Sequence, residues 1–331
     1  MEKGWNGLPY LPISKHYQDL FQEKVYKIPL AIADDCPNRM GLKGMQTCVF
    51  CDEWGSAARS EAFSMQLKEQ IEKYHAHYVQ KYKAKKFVAY FQAYTSTFLK
   101  LQTLKESIST ALAYDFIKGF VIGTRPDCIS QGVFDLWNDL VKNNYVSIEF
   151  GVQSFNDGHL QFLRRGHTGL DSISAILKTA KAVPQAQIGA HLIFGLPDET
   201  DEDIILAAES CNQLPLQNVK LHHLHVLKNT PLEQMYLAGN FHPLDFPTYS
   251  RRVRIFLEHL SPLIHIDRLA AYSSRWDELI APDWTKNKMQ THQHIIDDMR
   301  AAQSFQSRHY LPANSYEEAA KIRLQNLSLR N

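Results

Sequence analysis

The sequence predicts an α/β fold in which parallel strands and outer helices form a partial (β/α)6, TIM-like barrel. Short apolar runs alternate with longer helical patterns from about residue 26 to residue 260, and this alternation is typical of parallel sheets. The predicted strands span residues 26–33, 86–93, 119–123, 146–152, 187–194 and 219–226. The predicted helices span residues 64–85, 98–114, 130–143, 169–182, 200–214 and 248–260.

Two of these strands favour a barrel over a doubly wound sheet. In the fourth strand, Glu149, Gly151 and Gln153 alternate with apolar residues, so one face packs and the other presents polar groups. The fifth strand repeats the pattern with Gly189 and His191. A doubly wound sheet covers both faces with helices and favours continuous apolar runs, whereas a partly filled barrel can direct polar side chains inward at a ligand.

These patterns divide the chain into three segments. Residues 1–25 form an aromatic-rich N-terminal segment, residues 26–260 form the barrel, and residues 261–331 form a C-terminal extension packed on the barrel. The extension contains a possible seventh strand around residues 264–269. Ser315 and Glu318 have the spacing of a capping box for a last helix.

The composition predicts a globular, cytoplasmic protein that does not associate with membranes. The 331 residues include 36 Lys plus Arg against 35 Asp plus Glu, so no strong overall field attracts nucleic acid or lipid. The five cysteines are an odd number, and no secretory signal or long apolar run is present. These features disfavour disulfides and predict a reducing compartment. The sequence does not define the oligomeric state.

Three cysteines with unusual spacing, Cys36, Cys48 and Cys51, follow the first predicted strand. Three thiolates on a four-iron cluster leave one iron free for a ligand. The same cysteines with a histidine would also suit tetrahedral zinc, and uncommitted thiols are a third interpretation. Cys128 and Cys211 are isolated, so a second Cys-x-x-Cys pair, normal in a zinc ribbon, is missing from the sequence.

Polar clusters follow the other predicted strands, where the loops of barrels form active sites. They comprise residues 92–97, 124–127, 153–154 and 195–197. In the second cluster, Pro126 ends the strand, so Thr124, Arg125 and Asp127 could equally stabilise a turn.

These motifs together resemble the radical S-adenosylmethionine (SAM) superfamily. The cysteine set with Phe50 before its last member is similar to the family's cluster loop. Further motifs resemble the bacterial YhcC/YtqA-type branch, which is related to the catalytic subunit of Elongator: Cys-Pro-Asn-Arg at 36–39, Ala-Tyr-Phe-Gln-Ala-Tyr-Thr-Ser-Thr at 89–97, Gly-Thr-Arg-Pro-Asp at 123–127, His-Leu-Ile-Phe-Gly-Leu-Pro at 191–197 and Lys-Leu-His at 220–222.

The resemblance implies a barrel of the radical SAM type and a [4Fe-4S] cluster held by Cys36, Cys48 and Cys51. It also implies reductive cleavage of SAM to a 5′-deoxyadenosyl radical, with electrons from a flavodoxin or ferredoxin-type donor. The substrate implied is tRNA, at the side chain of a modified wobble uridine. A small metabolite or peptide substrate is an alternative, and a non-catalytic zinc or iron–sulfur binding protein is another.

The resemblance also implies a set of SAM-binding residues. Gln153 matches a family glutamine, Arg165 matches an arginine on the following helix that meets the SAM carboxylate, and His191 stands where a relative has an aspartate. His191 could instead be a core histidine satisfied by a neighbour, and Arg165 a surface charge. Many members of the family carry Gly-Gly-Glu after the second strand, whereas this chain has Ala-Tyr-Thr-Ser-Thr at residues 93–97. The SAM amino group could therefore contact either a carboxylate or only hydroxyl and backbone groups. The full set is Phe50, Gln92, Tyr94, Thr95, Ser96, Thr124, Arg125, Gln153, Ser154, Arg165 and His191.

Lys220 and His222 are the candidate catalytic residues, as substrate contacts or a proton donor. Strict alternation allows only one pair, Lys220 with His222 or His223 with His225, to face the barrel interior. Apolar neighbours favour the first pair. Charged runs are usually only solvated, but the resemblance to Elongator makes two basic runs candidate RNA contacts. They are Lys81, Lys83, Lys85 and Lys86, and Arg251, Arg252 and Arg254.

Overall fold

Seven parallel strands curl into a half-barrel that forms the centre of the computed structural model. The structure describes residue 5 and residues 7–33, 35–52, 54–55, 64–273 and 275–312. In chain order the strands of the described residues are β1 (Val25–Leu30), β2 (Lys86–Phe91), β3 (Ile117–Thr124), β4 (Tyr145–Gln153), β5 (Gln187–Phe194), β6 (Asn218–His223), β7 (Val226–Leu227), β8 (His265–Arg268) and β9 (Leu279–Ala281). The main sheet has the order β1-β2-β3-β4-β5-β6-β8, while β7 and β9 pair separately in antiparallel fashion.

Helices connect the strands and cover the outer face of the sheet. In the described residues they are α1 (Ile13–Phe21), α2 (Leu67–Tyr82), α3 (Leu101–Leu112), α4 (Gln131–Leu140), α5 (Asp157–Phe162), α6 (Gly169–Ala182), α7 (Asp201–Asn212), α8 (Pro231–Leu237), α9 (Phe246–His259) and α10 (Lys288–Ala301). Local sequence sets where several begin. Thr168 and Thr200 cap α6 and α7 in capping boxes with Asp171 and Asp203, which satisfy backbone N–H groups that the first turn leaves free.

The main apolar core lies between the helices and the outer face of the sheet. Ile148, Phe150 and Val152 of β4 are fully buried there, together with Trp137 of α4 and Phe256 of α9. The apolar half of the β4 alternation therefore packs outward, as predicted. The polar half is free to face the barrel interior.

The predicted strand–helix order is confirmed, with local corrections. The sixth strand was predicted to reach residue 226 but ends at His223, because Val226 and Leu227 pair with β9 instead. The third helix was predicted from residue 98, but residues 96–98 form a 3-10 turn and α3 begins at Leu101.

The seventh strand is present as β8 and pairs in parallel with β6, so the main sheet has seven strands rather than six. Helices α1, α5 and α8 were not predicted. The capping box of Ser315 and Glu318 lies outside the described residues. The domain boundaries at residues 25 and 260 remain predictions.

Both ends of the sheet are joined by contacts between distant parts of the chain. Lys27 of β1 donates a hydrogen bond to Asp267 of β8, although these strands lie at opposite ends of the sheet order. Ile266 of β8 donates its backbone N–H to the carbonyl of Leu11 at 2.7 Å. The buried side chain of Gln306 accepts a hydrogen bond from the Leu11 N–H. Among the described residues, no helix combines the length and apolarity needed to cross a bilayer.

Candidate active site

The C-terminal ends of the strands surround a cavity of about 290 Å³. This is the end at which barrel folds place their active sites, because the loops after the strands meet there. The lining residues come from β2 through β8 and from the long connection between β1 and α2.

All three cysteines of the predicted cluster loop line this cavity. Cys36 and Cys48 are buried, and Cys51 is partly exposed. Arg165 Nη1 lies 3.6 Å from Cys48 Sγ. The thiolate is the form of cysteine that binds metal, and this guanidinium places a positive charge beside it.

Hydrogen bonds hold the cysteine loop against the connection between α5 and α6. The buried Asn38 side chain donates to the carbonyl of Gln46, at 2.6 Å, and to that of Arg164. The Val49 N–H donates to the carbonyl of Leu163. The loop conformation is therefore set by contacts beyond the loop itself.

Arg125 connects the two segments. Its Nε and Nη2 atoms each lie 2.8 Å from a carboxylate oxygen of Asp127, and Nη2 also donates to the carbonyl of Arg165 at 2.6 Å. Nη1 donates to Asn38 Oδ1. Arg125 lines the cavity, but Asp127, Asn38 and the Arg165 carbonyl already engage its Nε, Nη1 and Nη2 atoms, which favours the interpretation that it stabilises the turn.

Arg165 reaches the cavity from the connection between α5 and α6, whereas the resemblance placed it on a helix. Its Nη2 atom donates to the carbonyl of Gly151 at 3.0 Å, while its buried Nε has no hydrogen-bond partner. A Cβ atom on Gly151 would lie 2.8 Å from Gln153 Nε2 and 3.2 Å from Arg165 Nη2. Glycine at residue 151 therefore makes room for both side chains.

Glu149 is at the centre of a network of charged groups beneath the cavity. Its side chain is 1% exposed and accepts hydrogen bonds from Lys27 at 2.9 Å, His191 at 2.6 Å and Lys220 at 3.4 Å. Burial alone would raise the pKa of Glu149, but Lys220 and Lys27 with the His191 hydrogen bond hold it well below its usual value. Asp267 forms a second ion pair with Lys27.

Lys220 and His222 line the cavity, as predicted. Lys220 Nζ donates to the Tyr90 hydroxyl at 2.8 Å, and burial lowers its pKa, an effect that Glu149 and Asp267 oppose only in part. Such a lysine releases its proton more readily than an exposed one.

The prediction that only one pair from the sixth strand faces the interior is wrong. His223 and His225 also line the cavity. His223 is the last residue of β6, where the chain leaves the strand, so strict alternation does not hold for it or for His225. Burial and the nearby Arg268 hold the pKa of His222 well below its usual value, and burial lowers the pKa of His225 to about 4. These imidazoles are neutral at ordinary pH.

Most of the predicted site residues meet at the cavity: Phe50, Gln92, Tyr94, Thr95, Thr124, Arg125, Gln153, Arg165, His191, Lys220, His222 and the three cysteines. Ser96 and Ser154 do not. Ser96 is fully buried, and its hydroxyl donates to the carbonyl of Phe91. The Ser154 hydroxyl contacts His159 and the Asn156 N–H instead. His191 lines the cavity and also pairs with Glu149, so it has the protein partner that the core-histidine interpretation expects, and its role toward SAM stays a prediction.

Sequence reasoning missed Tyr90, Arg268, Lys27 and Asp267 as site residues, and it placed Glu149 on the inner face without a role. One signal was present. Lys27 interrupts an otherwise apolar first strand, and a lysine inside a barrel needs an acidic partner there.

The donor set of the cysteine loop fits a [4Fe-4S] cluster. In the described part of the chain, no three His, Cys, Asp or Glu side chains are gathered to share one metal ion. A cluster does not require this, because each thiolate binds a different iron. The unpartnered Nε of Arg165 next to the cysteine loop is a buried donor suited to the SAM carboxylate.

Comparison with known proteins identifies the family. The sequence profile of the Radical SAM superfamily matches residues 32–211, more than half of the chain. The chain belongs to the radical SAM superfamily. A second profile, the Radical_SAM C-terminal domain, matches residues 216–301. Membership in the radical SAM superfamily assigns the chain a [4Fe-4S] cluster and SAM as cofactors, in place of zinc.

Curated relatives confirm the predicted branch. The radical SAM chain is 36% identical over 268 residues to the uncharacterized protein MJ0486 of Methanocaldococcus jannaschii, covering 80% of this chain and 81% of that protein. It is 31% identical over 271 residues to protein YhcC of Escherichia coli K12, covering 81% and 85%. A shorter match, 28% identical over 127 residues, links it to the tRNA uridine(34) acetyltransferase of M. jannaschii, covering 37% of this chain and 22% of that protein.

A solved structure confirms the radical SAM fold. Elp3 of Methanocaldococcus infernus superimposes with a TM-score of 0.64 at 16% sequence identity, covering 85% of this chain. The match spans 64% of the Elp3 chain, so this chain corresponds to less than two thirds of that protein.

Proposed function

We propose that this radical SAM enzyme acts on tRNA, at the side chain of a modified wobble uridine. When bound, the cluster and SAM supply a 5′-deoxyadenosyl radical, which removes a hydrogen atom from the substrate. The observation that carries the enzymatic part of the proposal is that Cys36, Cys48, Cys51 and Arg165 face one cavity at the C-terminal ends of the strands.

The residues around the cavity have separable tasks in this proposal. The three cysteines hold the cluster, and Arg165 orients the SAM carboxylate through a charge-assisted hydrogen bond. Gln153, directed into the cavity from the end of β4, supplies further hydrogen bonds.

Lys220 is the residue best suited to hold or deliver a proton to the substrate. Its ammonium nitrogen lies between Glu149, at 3.4 Å, and the Tyr90 hydroxyl, at 2.8 Å. Both partners fix the position of Nζ, and the lowered pKa of Lys220 favours proton release within the cavity.

Support for tRNA as the substrate comes from the fold likeness to Elp3 and the short match to a tRNA uridine(34) acetyltransferase, an argument by analogy. The basic runs add little. Arg251, Arg252 and Arg254 pair with Asp201, Glu199 and Glu258. The lysine run lies where α2 ends and β2 begins, at the opposite end of the sheet from the cavity.

Because the basic runs are paired or distant from the cavity, a second candidate substrate is a small metabolite or peptide. In either case we propose that a flavodoxin or ferredoxin-type protein donates the electron.

Anaerobic reconstitution tests the enzymatic part. Wild-type protein with iron, sulfide, dithionite and SAM should form 5′-deoxyadenosine, and the Cys48→Ser variant should not. Absence of 5′-deoxyadenosine from cluster-loaded wild type would reject the mechanism.

Nucleoside mass spectrometry tests the substrate. A modified uridine should disappear from the tRNA of cells lacking the gene, and wild-type enzyme but not Cys48→Ser should restore it on that tRNA in vitro. Identical nucleoside profiles with and without the gene would reject tRNA and leave the small metabolite or peptide as the substrate.

A further inference from the structure

Arg268 is a cavity-lining cation with no acidic partner among the described residues. It is the last residue of β8, and its side chain lines the cavity. No described carboxylate lies within the 4.0 Å that defines an ion pair. By contrast, Arg125 pairs with Asp127 at 2.8 Å and Arg275 pairs with Asp52.

Part of the Arg268 guanidinium is held by protein, and the rest is available. Nε donates weakly to the carbonyl of Leu221 at 3.4 Å, and Nη2 lies 2.7 Å and 2.6 Å from the two ring nitrogens of His222. A neutral His222 can accept one hydrogen bond but cannot balance the charge. In the described structure Nη1 has no hydrogen bond, so both of its hydrogens and one on Nη2 remain for a ligand.

In the network of charged groups around Glu149, the cations also outnumber the carboxylates. Lys27, Lys220 and Arg268 contribute three cations, while Glu149 and Asp267 contribute two carboxylates. The neighbouring histidines are neutral. An uncompensated charge removed from bulk water is costly, and a bound anion would offset it.

We propose that Arg268 binds an oxyanion of the substrate, with His222 orienting the guanidinium. The N–H donors of the guanidinium, with Nη1 uncommitted, match the oxygens of a carboxylate or a phosphate. Arg165, beside Cys48, is the partner expected for the carboxylate of SAM, so the two anions have separate arginines. The inference rests on the proposed function, because it places the substrate in the cavity that holds SAM.

Titration calorimetry of the reconstituted, SAM-loaded holoenzyme tests this site, with acetate and inorganic phosphate as separate probes. Because SAM is present, its own carboxylate already occupies its site. We expect saturable binding of one probe to wild type, roughly 10- to 100-fold weaker binding to Arg268→Gln, and a smaller loss in Arg268→Lys. Arg251→Gln, which removes an exposed surface charge, should bind as wild type does.

The preferred probe identifies the source of the anion. Acetate indicates a substrate carboxylate, such as one on a nucleoside side chain, and phosphate indicates a nucleotide phosphate. The proposal is overturned if neither probe saturates wild type, if Arg268→Gln binds as tightly as wild type, or if binding occurs only without SAM.

A second measurement applies if Arg268→Gln does not fold. Phenylglyoxal modification of the wild-type, SAM-loaded holoenzyme, followed by peptide mass spectrometry, should show that the same probe protects Arg268. Equal modification with and without the probe overturns the proposal.

An assay of 5′-deoxyadenosine in the same preparation distinguishes the Arg268 proposal from the proposed function. Its formation without anion binding refutes only the Arg268 site, and anion binding without its formation refutes only the proposed function.

Discussion

Replacing Glu149 with Gln should destabilise the protein by about 3 kcal/mol. The amide keeps the shape of the carboxylate but loses the charge that faces Lys27 and Lys220. Removing one partner of a buried ion pair costs about 3–5 kcal/mol. We expect the lower end of that range because Asp267 remains close to both lysines.

The destabilisation should depend on pH in a defined direction. The lysines and His191 hold the pKa of Glu149 well below 4.5 in the folded protein. A carboxylate with a lowered folded pKa contributes stability above its unfolded pKa of about 4.3, and the contribution is lost as pH falls through the folded value. The difference between wild type and Glu149→Gln should therefore be largest above about pH 5 and should shrink in more acidic solution.

Urea unfolding followed by circular dichroism measures both effects, under anaerobic conditions on cluster-loaded protein. The matched control is Glu202→Gln on the exposed surface of α7, which should change the free energy of unfolding by less than about 0.5 kcal/mol. Combining Glu149→Gln with Lys220→Met should cost less than the sum of the single variants, because the two side chains interact. A loss below about 1 kcal/mol for Glu149→Gln, or a difference that grows on acidification, would refute the reasoning.

Three further predictions concern the cavity. Cys48→Ser should lose iron and visible absorbance, whereas Cys128→Ser, whose thiol does not line the cavity, should retain both; equal iron contents by chemical assay would contradict the cluster assignment. Arg165→Gln should raise the KM for SAM roughly 10- to 100-fold, as measured by 5′-deoxyadenosine formation at varied SAM, and an unchanged KM would exclude it as the SAM carboxylate partner. Arg125→Ala should cost about 3–5 kcal/mol in urea unfolding, against about 1 kcal/mol or less for Arg254→Ala, whose ion pair is partly exposed; similar losses would show that Arg125 does not stabilise the turn.

The direction of side chains within a strand was predictable from the sequence. In β4, alternation placed Glu149, Gly151 and Gln153 inward, and the structure has all three at the cavity. This works because side-chain direction in a strand depends only on a period of two residues. The same reasoning correctly placed His191 of β5.

The end of a strand was not predictable in the same way. Residues 219–226 form one continuous pattern, but His223 is the last residue of β6 because Val226 and Leu227 pair with β9, much later in the chain. That partner is not visible in local sequence. His225 consequently faces the cavity, which strict alternation did not allow.

The charge pairs that cross the barrel were also beyond sequence reasoning. Lys27 meets Asp267 only because the sheet curls until its first and last strands approach each other. Arg268 reaches the cavity through the same curvature. Neither the spacing nor the composition of these segments contains that information.

The backbone bond between Leu11 and Ile266 has a practical consequence for anyone who trims the chain. Leu11 covers the outer edge of the last strand, and the side chain of Gln306, near the other end of the sequence, accepts a hydrogen bond from the Leu11 N–H. A truncated protein that starts at Tyr26 would expose unpaired amide and carbonyl groups on β8, which could form a β-sheet with a second molecule. Shortened versions should therefore precipitate rather than yield a minimal working unit.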